Sequence, residues 1–577
     1  MLSVYTGKRP GFTLMPAICI IGCLGVLLCL FNLAFLCKFM LAGTIPVGLG
    51  MLLRHYIGLK KKPEIMPELI IMLLAAGLFT LLNWGRLYTL NDEFSHWGLA
   101  VKNLVALGRL GVTGETNCIF ESYPPFATVV CYLATCFEKN INEGATFVAM
   151  NMCYIGAVLP ALSVLCERDR RLSKLPESVL AAVLMLVCVI VFKLSALTII
   201  AVDTLLGTMA FYIFAILSEN KEKIDTPSIC FAALAAFSLS LTKDTGLAFV
   251  CFGALTAFAL IYKKKYALSG LAAVLISGIG AKLLWSSVKK YYGVSSSREG
   301  AFTTLSNIIR NGFTPVQKTA TAAFFKASVS PNLSVGIPLV VFLVFFAALA
   351  VFIQVMCKKQ NVSGKAFGPA FCVLGGCFIA YYIGMLVSYW GKFSDAEASG
   401  VASFERYLGS YLTFGLLVFA FIIIPAVLPY IRRKIPAGVF GAVSGGALAV
   451  FILFFAFLYP YTTADSIEQR SALASRGLDK MCAEEGIDKA SVIIIVAPEY
   501  DNGLWLMTNY NAAPYRVISS ENWEGIISSG GADYVYFDTA YDMSFVESVF
   551  SAAGCEVPEE VTGGNIYRLN QRSLLRK

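Results

Sequence analysis

Charged residues are scarce in this sequence. Asp, Glu, Lys and Arg make up 14% of its 577 residues, whereas hydrophobic residues make up 57%. Ordinary soluble proteins carry about 25% charged residues, so this composition excludes that class. The hydrophobic residues are gathered in long runs, without the weak ten-residue alternation that marks an outer-membrane barrel. The sequence therefore predicts a helical membrane protein.

Several motifs that mark other functions are also missing. There is no Cys-x-x-Cys pair, no Gly-x-Gly-x-x-Gly after a strand and no Walker sequence, so nothing predicts structural zinc or a bound nucleotide. The net charge of +9 comes from short basic clusters between apolar runs. A nucleic-acid-binding surface would instead form a continuous basic patch or stripe. We therefore expect no nucleic-acid partner.

About thirteen apolar runs are long enough to span a bilayer, for which a helix needs roughly 20 residues. They cover residues 16–36, 39–58, 67–88, 145–166, 178–199, 203–218, 228–242, 246–262, 267–287, 335–357, 367–390, 407–429 and 437–459. Basic clusters fall on one side of the membrane when the N-terminus is cytoplasmic, at 8–9, 60–62, 168–171, 221–223, 263–265, 358–359 and 432–434. The predicted fold is an all-α polytopic transmembrane bundle in the cell membrane, with an extracytoplasmic C-terminus.

Three longer stretches lie outside by this count: residues 89–144, residues 288–334 and everything after Tyr459. In the first external loop, 89–144, apolar residues at helical spacing predict an interfacial helix that ends at Leu110. A second run, 127–137, is too short to span easily, and we expect a membrane-lying or re-entrant helix there. Function is expected on this outer face.

The composition changes after the last apolar run. We divide the chain into a transmembrane domain, 1–464, and a C-terminal domain, 465–577. Four predicted strands at 492–497, 515–519, 533–538 and 565–569 alternate with helical segments at 466–485, 522–529 and 543–553. This pattern predicts a small extracytoplasmic α/β domain. Cys482 and Cys555 both fall in this domain and can pair there.

Only two histidines occur in the chain, and one of them, His96, lies four residues after Asp92 just outside the third span. On a helix, Asp92, Ser95 and His96 share one face. Glu93 and Trp97 adjoin that face. Such a group can act as a general base, hold a divalent cation or stack on a sugar. The same residues also fit an ordinary helix N-terminus with an interfacial tryptophan, so both interpretations stay open.

Other polar and ionisable residues fall at span ends on the same outer face. Taken singly, each of them can be a snorkelling side chain or a local ion pair. Ionisable groups near the membrane are costly, however, and several on one face indicate a functional site. These residues are Asp203, Lys243, Asp244, Glu405, Arg406 and Tyr407.

The order of these features resembles a known family. Along the chain they are Asp-Glu at Asp92, Tyr-Pro-Pro from Tyr123, a span opening at Asp203, a Thr-Lys-Asp-x-Gly turn around Lys243, and Arg-Tyr at Arg406. Together with an external C-terminal α/β domain, they resemble the GT-C superfamily over most of the membrane part. These are polytopic glycosyltransferases that use polyprenyl-phosphate-linked sugars, including protein O-mannosyltransferases, the lipid A aminoarabinose transferase and oligosaccharyltransferases.

The resemblance implies a GT-C-like transferase that acts outside the membrane on a polyprenyl-phosphate-linked sugar. Asp92 would be the catalytic base that deprotonates the acceptor hydroxyl in an inverting single displacement. Glu93 and His96 would assist, either by orienting the acceptor or by binding a divalent cation with Asp92. The acceptor would be a cell-envelope polymer, a glycolipid or a polysaccharide, and membrane lipid would surround the donor's tail.

The resemblance also implies where the substrates bind. Fixed cations would hold the leaving lipid phosphate, and the matching donor phosphate-binding residues are Lys243, Arg406 and Tyr407. The substrate-binding residues would be Trp97, Tyr123, Asp203, Asp244 and Glu405. The C-terminal domain lies on the same predicted side, so we expect it to recognise the acceptor.

Two other functions remain open. A polysaccharide polymerase or ligase would also be polytopic with external loops. Residues 288–334 contain Arg298 and Arg310 but lack the histidine that this chemistry favours. A secondary transporter would place ionisable residues near the bilayer midplane. Lys193, Asp203 and Lys243 would fit that function if they lay deeper than their predicted positions.

Overall fold

The computed structural model describes residues 2–58, 66–114, 116–165, 174–219, 223–294, 301–331, 336–359, 367–471, 475–497 and 502–569. The basic clusters at 60–62 and 168–171, together with Lys221 and Arg298, lie outside the described residues.

Helices make up most of the described chain. The first thirteen are α1 (Leu2–Thr6), α2 (Leu14–Leu30), α3 (Leu36–Leu53), α4 (Pro67–Leu82), α5 (Gly98–Leu107), α6 (Phe126–Thr135), α7 (Glu143–Val158), α8 (Pro160–Leu165), α9 (Leu175–Ile190), α10 (Val202–Ser218), α11 (Thr226–Ser240), α12 (Gly246–Ile261) and α13 (Ala267–Tyr291). The others are α14 (Ala301–Asn311), α15 (Pro315–Val329), α16 (Leu339–Lys359), α17 (Phe367–Gly391), α18 (Asp395–Ser399), α19 (Phe404–Lys434), α20 (Ala437–Ser471), α21 (Leu478–Glu484), α22 (Asn502–Ala512), α23 (Trp523–Ser528) and α24 (Met543–Ala553).

Each of the predicted spans coincides with an apolar helix. Among the described residues, 7 helices are long and apolar enough to cross a membrane: Pro10–Leu30, Leu36–Leu53, Glu143–Leu165, Ala267–Tyr291, Phe367–Gly391, Phe404–Lys434 and Ala437–Phe455. The other predicted spans are shorter apolar helices, at Pro67–Leu82, Leu175–Ile190, Val202–Ser218, Thr226–Ser240, Gly246–Ile261 and Leu339–Val355. The predicted helical membrane bundle is therefore confirmed as the fold class.

Helix α10 lies at the centre of the bundle. Every residue from Thr204 to Leu217 is buried, and the helix packs on α7, α11, α12 and α19. A Cβ atom at Gly207 would lie 2.2 Å from the carbonyl oxygen of Ser410 in α19. A Cβ atom at Gly253 of α12 would lie 2.4 Å from the carbonyl oxygen of Ala210. Because both residues are glycine, the three backbones can approach closely, which brings the N-terminal ends of α10, α12 and α19 together.

At the other end of the bundle, ion pairs join residues that lie in or beside the loops. Lys8 contacts Glu219, and its Nζ lies 2.8 Å from Asp225. Nε of Arg9 lies 2.7 Å from Glu68. These residues belong to the loops that the basic clusters placed on one side of the membrane. The structure therefore gathers those loops at one end of the bundle.

The first external loop folds into the bundle. A π-helical turn, Glu93–Trp97, and then α5 occupy the segment that was expected to be a single interfacial helix. The second helix of the loop, α6, is buried at almost every residue and packs on α2 and α7. A helix on the membrane surface would leave one side uncovered. Helix α6 is therefore covered by other helices, and its expected membrane-lying or re-entrant placement stays a prediction.

The C-terminal region contains the predicted α/β fold. Its strands are β1 (Val492–Ile495), β2 (Arg516–Ile518), β3 (Tyr534–Phe537) and β4 (Asn565–Arg568). They form one sheet of order β2-β1-β3-β4, in which β1 is parallel to both neighbours and β4 is antiparallel to β3. All four predicted strands are confirmed. Helix α22 was not predicted, and α20 continues past the expected boundary at 464 as far as Ser471.

The two cysteines of this domain are free thiols. Cys482 packs in the same apolar cluster as Ile495, whereas Cys555 packs with Ile494. Successive strand residues point to opposite faces of a sheet. The pair that the sequence allowed is therefore not formed, because the sheet separates the two thiols.

The close approach of α10 and α19 gives the first testable prediction. Replacing Gly207 with alanine should lower the free energy of unfolding by about 1–3 kcal/mol, because the added methyl group overpacks a filled interface. The matched control is Gly375→Ala in α17, where an added Cβ meets nothing within 4 Å. Thermal unfolding of both variants in detergent checks this. Equal stability of the two variants would contradict the inferred contact.

Candidate active site

Four charged side chains of alternating sign form a continuous chain at the end of the bundle opposite Lys8 and Arg9. Arg406 pairs with Asp92 through Nη1. Its Nε lies 3.3 Å from Oδ2 of Asp203. The other oxygen of Asp203 accepts a 2.6 Å hydrogen bond from Nζ of Lys243. The structure thus brings together four of the residues that the sequence assigned to one face, from four separate segments.

Asp203 is the most enclosed member of this ion-pair chain. Its side chain is 13% exposed, against 29% for Arg406 and 48% for Asp92. Asp203 lies in the first turn of α10, where the helix dipole favours a negative charge. Arg406 lies in the first turn of α19, where the same dipole disfavours a positive charge. The guanidinium therefore depends on its carboxylate partners.

Lys243 keeps its charge in an enclosed position between α11 and α12. Burial lowers its pKa, but Asp203 and Tyr407 raise it, and the net shift is upward. Its Nζ also lies 5.0 Å from the ring centre of Tyr407, a favourable cation–π distance. The hydroxyl of Tyr407 accepts a 3.3 Å hydrogen bond from Arg406. Tyr407 therefore contacts both cations.

Glu93 is buried beneath the ion-pair chain. Its Oε2 accepts hydrogen bonds from the backbone N–H groups of Thr89, at 2.9 Å, and Leu90, at 3.0 Å. Its Oε1 accepts a 3.1 Å hydrogen bond from the N–H group of Ile200. Burial raises the pKa of Glu93 to about 7, although these three donors favour the carboxylate. Glu93 therefore ties the Asp92 segment to the chain that enters α10.

His96 is enclosed by aromatic rings. The ring centres of Trp97 and Tyr123 each lie 4.4 Å from that of its imidazole, and Phe120 follows at 5.9 Å. Among the described residues, neither ring nitrogen has a hydrogen-bond partner. Burial lowers the pKa of His96 to about 3, with a smaller effect from Lys243. The imidazole is therefore neutral at ordinary pH.

The expected cluster of Asp92, Glu93 and His96 is not formed. The residues lie in and beside a π-helical turn, which has a different number of residues per turn from the regular helix assumed for their spacing. As a result, Asp92 faces Arg406, Glu93 faces backbone N–H groups and His96 faces aromatic rings. The three do not fit a shared set of metal ligands. Within the described chain, no group of three or more His, Cys, Asp or Glu side chains is placed to hold a metal ion.

A groove of about 810 Å³ opens beside Asp203 and Lys243. It has both apolar and charged walls. The apolar and aromatic wall comes from α12 and α17 and includes Ala248, Cys251, Phe252, Tyr381, Gly384 and Met385. Such a groove can take a ligand that is apolar along one part and charged at another.

Three lysines of this groove were not singled out in the sequence. Lys282 and Lys289 lie seven residues apart on α13, and Lys392 follows α17 directly. Lys282 pairs with Asp244 at 2.5 Å. Among the described residues, Lys289 and Lys392 form no ion pair. Lysines at span ends are common interface anchors, so only the groove distinguishes these three.

A second cavity of about 50 Å³ adjoins the same ion-pair chain. Its lining includes Asp92, Trp97, Lys193 and Arg406. Asp203 lines both this small cavity and the large groove. The ion-pair chain therefore runs from one cavity to the other.

The remaining residues that were expected to bind substrate lie in three different places. Tyr123 and Asp244 line the groove, and Trp97 lines the small cavity. Trp97 is only 6% exposed, so its indole does not present the open face that was expected to stack on a sugar. Glu405 is exposed and is not among the described residues that line either cavity.

Comparison with known proteins adds three distant likenesses. No protein-family model matches the chain, and no curated protein matches it. It is similar to ArnT from Cupriavidus metallidurans in the apo state, with 11% identity and a TM-score of 0.44 over 81% of this chain and 92% of that one. It is also similar to the Archaeoglobus fulgidus oligosaccharyltransferase tethered with an acceptor peptide, with 14% identity and a TM-score of 0.37 over 84% and 70% of the two chains. The apo form of that oligosaccharyltransferase gives 13% identity and 0.38 over 84% and 71%.

The burial of Glu93 makes stability depend on pH. Its pKa is about 7 in the folded protein, against an ordinary value of 4.5. The folded state therefore holds a proton that the unfolded state releases between these two values. The stability that this proton contributes is complete below about pH 4.5 and is lost as the pH rises through about 7, by up to about 3 kcal/mol.

Glu93→Gln should remove this pH dependence, because the amide does not titrate. We expect the unfolding free energy of the wild type to fall relative to that of the variant between pH 4.5 and 7.5. Glu547→Gln, at an exposed position, should follow the wild type. Chemical denaturation across this pH range measures the difference. A constant difference between wild type and Glu93→Gln would refute the raised pKa.

Proposed function

We propose that this protein is a membrane glycosyltransferase that moves a sugar from a polyprenyl-phosphate donor to an acceptor hydroxyl outside the membrane. One observation carries the proposal. The ion-pair chain from Asp92 to Lys243 joins a small cavity, lined in part by charged side chains, to a large groove with an apolar wall and several lysines. This arrangement suits a donor with a lipid part and an anionic part, held next to a carboxylate.

The groove offers both kinds of contact that a lipid phosphate needs. Four lysines and two aspartates line it, which leaves a surplus of two positive charges. Fixed cations stabilise the negative charge that develops on a leaving phosphate, and charge-assisted hydrogen bonds are stronger than neutral ones. The apolar wall between α12 and α17 supports a path for the polyprenyl chain along the helices.

Asp92 is the proposed base. In the displacement, the acceptor oxygen bonds to the anomeric carbon while the bond from that carbon to the phosphate oxygen breaks. The electron pair of the broken bond leaves with the lipid phosphate, and Asp92 takes the proton of the acceptor hydroxyl. Its side chain is 48% exposed and lines the small cavity, so an acceptor hydroxyl can reach it.

Arg406 couples donor binding to the activity of the base. Its guanidinium contacts Asp92 and Asp203. A donor phosphate in the groove competes for the same guanidinium, which binds phosphate and carboxylate alike. When the phosphate draws Arg406 away, the carboxylate of Asp92 is released from this ion pair and can contact the acceptor hydroxyl. Deprotonation is thereby favoured only when the donor is present.

The remaining parts of the proposal concern orientation and partners. The acceptor is a cell-envelope polymer, a glycolipid or a polysaccharide. The site faces the extracytoplasmic side, with the N-terminus in the cytoplasm, since the paired basic loops lie at the opposite end of the bundle. Glu93 and His96, both enclosed, support the loop that carries Asp92. The C-terminal domain contacts this loop and lies beside any acceptor that enters.

Asp92→Asn tests the reaction class and the base together. The variant should lose transfer by about 10²–10⁴-fold, because the amide cannot accept the proton. Donor binding should be kept or tightened, because Arg406 loses a competing carboxylate. Purified protein in nanodiscs is offered a panel of polyprenyl-phosphate sugars, and release of polyprenyl phosphate is measured.

The control for this experiment is Asp395→Asn, which changes an exposed carboxylate in α18 and should leave transfer unchanged. Equal release by the wild type and Asp92→Asn would move the base elsewhere. If the folded wild type released nothing from any donor, the transferase would be rejected in favour of a polymerase, a ligase or a transporter.

Lys289→Gln combined with Lys392→Gln tests the donor site. Each lysine would contribute a charge-assisted contact to phosphate, so the double variant should raise KM for the donor by about tenfold or more and change kcat little. Lys318→Gln, in an exposed position on α15, is the matched control. Initial rates at varied donor concentration give both constants. An unchanged KM would exclude these lysines from donor binding.

A further inference from the structure

We propose that Tyr510 of the C-terminal domain is a positioning residue for Asp92, acting through Glu143 and the backbone of Tyr88. The C-terminal domain would then hold the loop that carries Asp92 in position. This inference rests on the proposed role of Asp92 as base, and it gives the C-terminal domain a task besides contact with the acceptor.

Tyr510 connects the C-terminal domain to the bundle. It lies near the end of α22 and is 1% exposed. Its hydroxyl donates a 2.6 Å hydrogen bond to Oε1 of Glu143 at the start of α7. Its ring packs edge-on against Tyr88 at 5.8 Å and Phe94 at 5.5 Å between ring centres. These two rings lie on either side of Asp92 in the sequence.

Glu143 connects Tyr510 to the loop that carries Asp92. Its second oxygen, Oε2, accepts a hydrogen bond from the backbone N–H group of Tyr88, four residues before Asp92. The hydroxyl of Tyr88 is 2.9 Å from that of Thr146 on the same helix, α7. On the other side of Asp92, the carboxylate of Glu93 holds three backbone N–H groups. Asp92 is therefore fixed from both directions along the chain.

Hydrogen bonds from polar side chains hold α22 in this position. Nζ of Lys102 donates hydrogen bonds to the carbonyl oxygens of Tyr510 and Asn511, at 2.9 and 3.0 Å. These oxygens lie in the last turn of α22, where a cation is favoured by the helix dipole. The side-chain amide of Asn117 donates to the carbonyl of Asn509 at 3.0 Å, and Asn509 donates back to the carbonyl of Asn117 at 3.3 Å. Buried amides of this kind are costly to leave unpaired, so they fix the docking geometry.

A catalytic carboxylate is sensitive to this kind of support. A misplacement of about 1 Å can reduce a rate by about a hundredfold. Deleting the hydroxyl of Tyr510 leaves Glu143 with fewer partners and loosens the N–H group of Tyr88. The backbone contacts made by Lys102 remain, so the domain stays docked. The effect should therefore appear in the loop and in catalysis, with little change in donor binding.

Tyr510→Phe is the variant that isolates this contact, because it keeps the ring and removes only the hydroxyl. The matched control is Tyr536→Phe in the same domain. Tyr536 is fully buried, and among the described residues its hydroxyl has no hydrogen-bond partner. Both variants lose one buried hydroxyl, but only Tyr510→Phe breaks the connection to Glu143.

The first measurement does not require activity. Hydrogen–deuterium exchange of the backbone amides of residues 88–97 is followed in the full-length protein in nanodiscs. Exchange should become faster in Tyr510→Phe and stay at the wild-type rate in Tyr536→Phe. Wild-type exchange in Tyr510→Phe, or equal acceleration in both variants, would overturn the inference.

The second measurement separates positioning from binding. In Tyr510→Phe, kcat for transfer should fall by roughly tenfold to a hundredfold, while KM for the donor stays within about twofold. Glu143→Gln combined with Tyr510→Phe should be no slower than Glu143→Gln alone, since both changes interrupt one path. An unchanged kcat, or fully additive losses, would overturn the inference. Absence of transfer in the wild type would instead refute the proposed function, and the exchange experiment would still decide whether Tyr510 holds the loop.

Discussion

The rest of the site depends on the ion pairs that the carboxylate of Asp203 forms. It contacts Arg406 and Lys243 at once, from its two oxygens. Two cations this close repel each other strongly where the effective dielectric constant is low. The anion between them offsets this repulsion where the N-terminal end of α19 meets the loop before α12. Since α10 is buried along most of its length, its packing sets the position of that anion.

At both ends of the bundle, cations are paired with acidic side chains, but the surroundings of these pairs differ. At the end that carries Lys8 and Arg9, the cations face glutamate and aspartate partners. Buried charges of this kind are tolerated because they are paired. At the opposite end, the ion-pair chain borders two cavities, and Lys289 and Lys392 line the larger one without a described ion pair. The first end is therefore suited to holding the bundle together, and the opposite end is suited to the proposed anionic donor.

Much of the fold could be predicted because its signals are local. Apolar runs of span length gave the membrane helices, and alternating short apolar runs gave the strands β1 to β4. The elements that were not predicted also have a physical explanation. Helix α22 has no apolar face that a sequence pattern would detect, since its buried side includes Thr508, Asn509 and Asn511. Its partners are Lys102 and Asn117, which lie some 400 positions earlier in the chain.

The candidate site could be predicted from the sequence as residues that share one face, but its geometry could not. By itself, the sequence determined that Asp92, Asp203, Lys243 and Arg406 share one face, because the lengths of the apolar runs place each of them at the same end of the bundle. Only the tertiary structure decided which of them touch, and that Glu93 and His96 turn away from Asp92. It also decided that Lys289 and Lys392 join the groove and that Tyr510 reaches Glu143. Span lengths are a property of each segment, whereas these contacts depend on how closely α10, α12 and α19 pack and on where the C-terminal domain docks.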